Sequence, residues 1–147
     1  MDGCRMAKMA PEHLGQVLAL SKKWEEEGIT YGLVAGCAES FDELDVWTCL
    51  CGNRVIAYLS GAARVSRDMC VFPQGAAIFE VDELYVDPEW RSRGIGGELF
   101  RYVEEDVKAS GAGYLLLSSA TKDADRIRRF YVQMGMDIWT TVFFKKL

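Results

Sequence analysis

The chain has 147 residues, half of them hydrophobic and 12% aromatic, and carries a net charge of −5. That size and composition fit one domain over residues 1–147 with a core of its own, and exclude a disordered or collagen-like chain. The acidic balance argues against nucleic acid as a partner, and no apolar run approaches the ~20 residues that span a bilayer. The opening "MDGCRMAKMAPEHL" lacks the long apolar core of a secretion signal, so a cytoplasmic protein is expected.

Residues 4–9 read as a short first strand. "PEHLGQVLALSKKWEEEG" follows, with Leu14, Val17, Leu18, Ser21 and Trp24 at helical spacing, Pro11 suited to the first turn and Gly28 to the stop. A second short helix with loops is expected between Ile29 and Leu44. "VWTCLCG" and "RVIAYLSGAARVS" read as two strands joined by a tight turn at Gly52-Asn53, and residues 67–75 as a loop. "AAIFEVDELYV" (76–86) is a long strand candidate. A helix from Ile95 presents Leu99, Tyr102, Val103 and Val107 as one stripe and stops near Gly111. "GYLLLSS" is a buried strand, "KDADRIRRFYVQMG" a helix closed by Gly135, and "DIWTTVFFKKL" the final strand. The order β-α-α-β-β-β-α-β-α-β describes an α/β (α+β) chain with a mixed sheet.

Five cysteines form no CxxC pair, and His13 is the only histidine, so no metal is expected. Cys49 and Cys51 share one face of their strand, and buried reduced thiols are the simpler reading. Between Met9 and Asp45, two lysines stand against eight carboxylates (Glu12, Glu25, Glu26, Glu27, Glu39, Asp42, Glu43, Asp45). The run is either a solvated helix face or a field that attracts a cation.

The richest local signal is "DPEWRSRGIGGELF", Asp87 to Phe100. Glycine within a helix costs about 0.5–1 kcal/mol relative to alanine, yet Gly94, Gly96 and Gly97 stand at a first turn. The unpaired N–H groups and the macrodipole of a helix start attract anions, and Arg91 and Arg93 add charge. From physics alone, an anion cradle and a plain glycine-rich helix entry both remain open. The G-x-G-x-x-G dinucleotide pattern fails because Leu99 stands in place of its third glycine, and no Walker run G-x-x-x-x-G-K-[ST] exists.

The stretch "RSRGIG" instead resembles the Q/R-x-x-G-x-G/A signature of the GNAT superfamily of N-acetyltransferases. "VDELYVDPEWRSRGIGGELF" is similar to that family's strand–turn–helix core, and "RRFYVQMGM" resembles its later helix end. The resemblance implies a GNAT-like mixed, mostly antiparallel sheet with a V-shaped splay between two central parallel strands, flanked by helices. It also implies acetyl-CoA as co-substrate. The pyrophosphate would lie on Arg91, Ser92, Arg93, Gly94, Ile95, Gly96 and Gly97, and the pantetheine arm along Leu84, Tyr85 and Val86. A bulge in that strand would free an N–H for the thioester oxygen.

Acetyl transfer sets two demands: an ammonium of pKa near ~10.4 must lose its proton, and a thiolate must leave. By resemblance Tyr131 is the acid; by spacing alone it continues the core stripe of Ile127, Phe130 and Met134. Glu80 aligns with the family's base glutamate and ranks first, then Glu83, with Asp82 as a further candidate. Strand alternation puts Glu80 and Asp82 on one face and Glu83 on the other, unless the bulge resets the phase. The family's asparagine on the later helix is Ala124 here, so Asp123, Asp125 or Ser119 is expected to replace its contact, Ser119 being the assigned one. Arg126, Arg128 and Arg129 are read as a solvated helix face, with contact to the adenosine 3′-phosphate of the co-substrate as the alternative.

The expected activity is N-acetylation of a primary amine by direct attack on the thioester. A small-molecule amine acceptor is expected, cationic and polyamine- or aminoglycoside-like, with a homodimer as the assembly. The competing readings are a protein or peptide acceptor, and a non-catalytic coenzyme A-binding module.

Overall fold

The computed structural model describes residues 3–147. Five strands form one sheet in the order β1-β2-β3-β4-β5: Cys4–Lys8, Asp45–Cys51, Arg54–Val65, Ala77–Val86 and Tyr114–Leu116. The first four pair antiparallel, and β4 pairs β5 in parallel. Helix α1 (Leu14–Glu27) covers one face of the sheet, and α2 (Ile95–Ala109) and α3 (Ala124–Gln133) lie on the other. Among the described residues no helix is long and apolar enough to cross a membrane.

Strand alternation divides the core in two. Trp47, Cys49, Ala57, Leu59 and Phe79 face α2 and pack on its stripe of Ile95, Leu99, Val103 and Val107. Leu50, Val55, Tyr58 and Tyr85 face α1 and pack on Val17 and Leu20.

One expected element is shortened and another does not form. Between Ile29 and Leu44 the second helix shrinks to a single 3-10 turn, Ala38–Phe41, because its backbone includes the left-handed Gly32 and Gly36 lies hard against the Phe41 ring. The final strand is absent: residues 137–147 carry no ladder hydrogen bonds, and Phe143 is 88% exposed. Strand propensity expresses a fit to a pleated, half-buried surface, and the three-residue β5 offers little edge to pair with. Strand β5 is therefore the sheet edge, and the parallel pair that splays lies at that edge rather than at the centre of the sheet.

Two irregularities position the site. Residue Asp82 has no partner on β3, because Ser60 pairs Glu83 while Gly61 pairs Val81. A Cβ at Gly61 would run into the Glu80 carbonyl oxygen, so glycine permits this bulge. On the other side β4 pairs β5 only over Ile78–Glu80, and beyond that point the strands part.

Candidate active site

The parting of β4 from β5 opens a cavity of about 630 Å³. Its walls are Val81–Tyr85, the segment Leu117–Asp123 after β5, Trp24 and residues 28–33 beyond α1, and Arg91, Arg126, Ile127 and Tyr131. A one-rung antiparallel bridge, Thr30 to Thr121, joins two of these walls. Tyr31 N–H donates to Ala120 O at 2.9 Å, Lys122 N–H donates to Ile29 O at 2.9 Å, and Trp24 Nε1 donates to Thr30 Oγ1 at 3.0 Å.

The bulge at Asp82 resets the side-chain phase of β4. Phe79 and Val81 face α2 before it, whereas Glu83 and Tyr85 face α1 after it. Asp82 and Glu83 both line the cavity, while Glu80 lies outside it in an ion pair with Arg64 of β3. The carboxylate ranked first from sequence is thus directed to another partner. Glu83 Oε2 accepts from the Tyr58 hydroxyl at 2.6 Å, and Tyr58 is fully buried. Burial raises the Glu83 carboxyl above its ordinary value, against the lowering effect of the Tyr58 hydrogen bond, and the Asp82 charge adds to the rise.

Tyr131 stands on α3, packed edge-on to Phe100 and Phe130 with ring centroids 5.7 and 5.0 Å apart. Burial pushes its phenol up to about 12, so it carries its proton at neutral pH. It both continues the core and lines the cavity. Ser119 lines the cavity as well. Asp123 also lines it, but spends one carboxylate oxygen capping α3 at Arg126 N–H, 3.1 Å away. Asp125, Arg128 and Arg129 do not line the cavity.

The turn before α2 fits an anion. Among the described residues, no protein acceptor takes the backbone N–H of any residue from Ser92 to Gly97. Two positive-φ residues, Ser92 at 61° and Gly94 at 78°, curl this run, and Gly94 is the N-cap without a side-chain hydrogen bond. A Cβ at Gly96 or Gly97 would meet its nearest neighbour at 3.5 Å, an ordinary contact. The protein's own packing therefore does not require glycine there, and the absence of side chains leaves these amides open to close approach by an anion.

Arg91 holds a different position from the one expected. Its Nη1 and Nη2 donate to Glu27 Oε1 and Oε2 at 2.8 and 2.7 Å, and its Nε donates to Val86 O at 3.0 Å. The guanidinium lies 5.2 Å from the Tyr85 ring centroid, and the Tyr85 hydroxyl donates to Glu27 Oε2 at 2.8 Å. Trp24 stacks on Tyr85 at 5.2 Å. Arg91 thereby ties the end of α1 to the turn, and the positive charge at the turn without an ion-pair partner among the described residues is Arg93, 4.9 Å from the Trp90 ring centroid. Beneath it, Asp87 is almost fully buried and binds Lys23, Arg54 and the Glu89 N–H.

The β4 backbone beyond the bulge has one open edge. Asp87 N–H donates to Ile56 O, so its neighbour Val86 points the other way, as does Leu84 by alternation. The Val86 carbonyl is taken by Arg91, which leaves the Leu84 groups and the Val86 N–H facing the cleft.

These features together are a splayed parallel pair, an anion-ready turn at the next helix and a tyrosine on the helix after. The sequence model described as acetyltransferase (GNAT) family matches residues 14–136. The chain belongs to that family. The acetyltransferase is accordingly an acyltransferase with acetyl-CoA as co-substrate, and the anion-ready turn and open strand edge suit that molecule's pyrophosphate and amide-bearing arm. No curated protein sequence matches it.

Solved structures share the fold across nearly the whole chain. An aminoglycoside acetyltransferase from an uncultured soil metagenomic sample, in complex with trehalose, aligns with TM-score 0.73 at 16% identity, covering 99% of this chain and 97% of that one. A ribosomal-protein-alanine N-acetyltransferase from Brucella melitensis biovar Abortus 2308 gives 0.73 at 14%, covering 99% of each. The aminoglycoside N-acetyltransferase AAC(6')-Iy in complex with CoA gives 0.69 at 16%, covering 97% and 99%.

Sequence reasoning missed Glu27, Tyr58, Trp24 and the Thr30–Thr121 bridge. Each acts through a partner distant in sequence, as in the pairs Glu27–Arg91 and Tyr58–Glu83. No local motif marks such residues. The acidic first third also resolves differently: none of its eight carboxylates lines the cavity, and Glu25, Glu27 and Asp45 are ion-paired with Lys22, Arg91 and Lys8.

Proposed function

We propose that this acetyltransferase moves the acetyl group of acetyl-CoA to the primary amine of a cationic small molecule. The observation that carries the proposal is the bulge, which turns two adjacent carboxylates, Asp82 and Glu83, into one cavity opposite Tyr131. Asp82 has no hydrogen-bond or ion-pair partner among the described residues, which leaves its charge for a cationic acceptor. Glu83 takes the proton from the attacking ammonium, and its raised pKa makes it a stronger base toward a group near ~10.4.

Tyr131 acts on the leaving sulfur. With the phenol near 12 and a thiol near ~8.5, complete proton transfer is uphill. The phenol therefore contributes a hydrogen bond that strengthens as negative charge develops on sulfur. The N–H groups of Ser92 to Gly97 and the open edge at Leu84 and Val86 hold the co-substrate. The Thr30–Thr121 bridge between the cavity walls favours a compact acceptor over a polypeptide.

Thiol release from acetyl-CoA, screened against polyamines, aminoglycosides, amino acids and peptides, tests this reading. Turnover is expected with acceptors bearing two or more amines. Tyr131→Phe should lower kcat by about 10²-fold or more, with coenzyme A affinity within about twofold of wild type. Turnover confined to peptides would overturn the acceptor assignment, and unchanged kcat in the variant would remove Tyr131 from the chemistry.

A further inference from the structure

Four sulfur side chains outside the cleft lie together beneath α2. Cys4 and Met6 of β1 and Cys49 and Cys51 of β2 all face that helix, and Cys4 stands directly opposite Cys51. Among the described residues no group of three or more His, Cys, Asp or Glu is arranged to hold a metal, so the cluster is a set of thiols.

The ladder between β1 and β2 fixes the type of each pair. The register is unbroken from Cys4–Cys51 to Lys8–Trp47, and the next rung carries a hydrogen bond from Met9 N–H to Val46 O at 2.8 Å. Hydrogen-bonded and non-hydrogen-bonded pairs alternate along an antiparallel ladder. Counting back from Met9–Val46, Ala7–Thr48 and Arg5–Leu50 are hydrogen-bonded pairs, and Cys4–Cys51 is a non-hydrogen-bonded one. In such pairs the Cα atoms lie about 4.5 Å apart and the side chains are at their closest. A disulfide accepts Cα separations of roughly 4.4–6.8 Å, so these two cysteines can join without moving the backbone.

Access separates the pair from the third thiol. Cys4 and Cys51 are partly exposed, whereas Cys49 is fully buried. Burial holds Cys49 at about 12, where the thiolate is scarce at neutral pH. The Cys4 thiol is raised above its ordinary value chiefly by its neighbour Cys51, the residue opposite it on the ladder.

We propose that Cys4 and Cys51 form a reversible cross-strand disulfide, a site of oxidative modification for low-molecular-weight disulfides of the glutathione class. The thiolate of one cysteine attacks a sulfur of the oxidant, whose S–S bond breaks and releases one thiol. The thiolate of the other cysteine attacks the mixed disulfide and releases the second. Two protein thiols are oxidised and one oxidant disulfide is reduced to two thiols. The closed loop contains α1 and the Trp24 and Tyr31 wall of the cavity, so the bond pins the edge strand β1 and restricts the unfolded chain.

The test uses the full chain with Cys37→Ser and Cys70→Ser, which remove the two exposed thiols. After treatment with oxidised glutathione, intact mass is expected to fall by about 2 Da and one free thiol, Cys49, to remain. A Cys4–Cys51 peptide should appear on digestion without reductant, and Tm should rise and return on reduction. Adding Cys4→Ser or Cys51→Ser should leave a stable glutathione adduct in place of the disulfide, while Cys49→Ser should leave disulfide formation intact. Absence of the 2 Da loss, or a linkage through Cys49, overturns the proposal. Should Cys49→Ser fail to fold, Cys49→Ala carries the same arm.

Discussion

Replacing Tyr58 by phenylalanine isolates the base. Tyr58 is fully buried and its ring contacts Phe41 and Tyr85 at 6.1 and 6.3 Å, contacts a phenylalanine keeps. What disappears is the 2.6 Å hydrogen bond to Glu83, the main influence holding that carboxyl down against burial. A hydrogen bond to a charged partner contributes about 1.5–3 kcal/mol, and 1.36 kcal/mol corresponds to one pH unit. The acid limb of the kcat/KM profile should therefore move up by about one to two pH units. Stability should respond in the same sense. Burial has already raised Glu83 above its unfolded value near 4.5, so the folded protein binds that proton more tightly than the unfolded chain. Ionising Glu83 consequently weakens folding as pH rises through the folded value, and this loss is absent below the unfolded one. Tyr58→Phe enlarges the loss on the high-pH side alone. Steady-state rates from pH 5 to 10, with thermal melts over the same range, read both effects. A limb that stays in place or moves down, in a variant that melts cooperatively, refutes the assignment of Glu83 as base. A Glu80→Gln control should leave the limb where it is, because Glu80 faces Arg64 outside the cavity.

Two further variants probe the turn. Glu27→Gln breaks a bidentate pair that is about three-quarters buried on both sides, and should lower Tm by about 4–8 °C, corresponding to about 2 kcal/mol. Burial works to raise the Glu27 carboxyl, but Arg91 and Tyr85 overcome it and hold it below its ordinary value. Its stabilisation is thus present above the unfolded pKa and lost as pH falls through the folded one, so wild type and variant should converge in acid; a constant Tm gap would contradict this. Gly96→Ala should move stability and affinity in opposite directions. The added methyl meets nothing closer than 3.5 Å and gains about 0.5–1 kcal/mol of helix propensity, while KM for acetyl-CoA rises about tenfold as the methyl holds the phosphate off the amides. An unchanged KM would remove the turn from co-substrate binding.

Much of this was legible in the chain. The helices from Leu14 and Ile95 follow from their apolar spacing, and the strand ending at Val86 from its run of β-formers. The turn from Arg91 to Gly97 was readable because its chemistry is local: it needs backbone amides, glycines and a helix start in one stretch. Tyr131 was readable through its family pattern, and the structure places it both in the core and in the cavity, so the two readings of its spacing do not compete. The final strand expected over 137–147 does not form, because aromatic and β-branched residues express a preference for an edge that the three-residue β5 does not supply.

The sequence by itself determined most of the element types, the anion-ready turn and the residues available for chemistry, since each depends on neighbours within a few positions. Only the tertiary structure decided which carboxylate faces the cleft. One unpaired residue at Asp82 inverts the phase of everything after it, sending Glu83 to the cavity and Tyr58 while Glu80 pairs with Arg64. It likewise decided that Arg91 grips Glu27, and that Cys4 meets Cys51. Register and packing partners are non-local quantities, and the twofold alternation of a strand carries any single slip through to every later side chain.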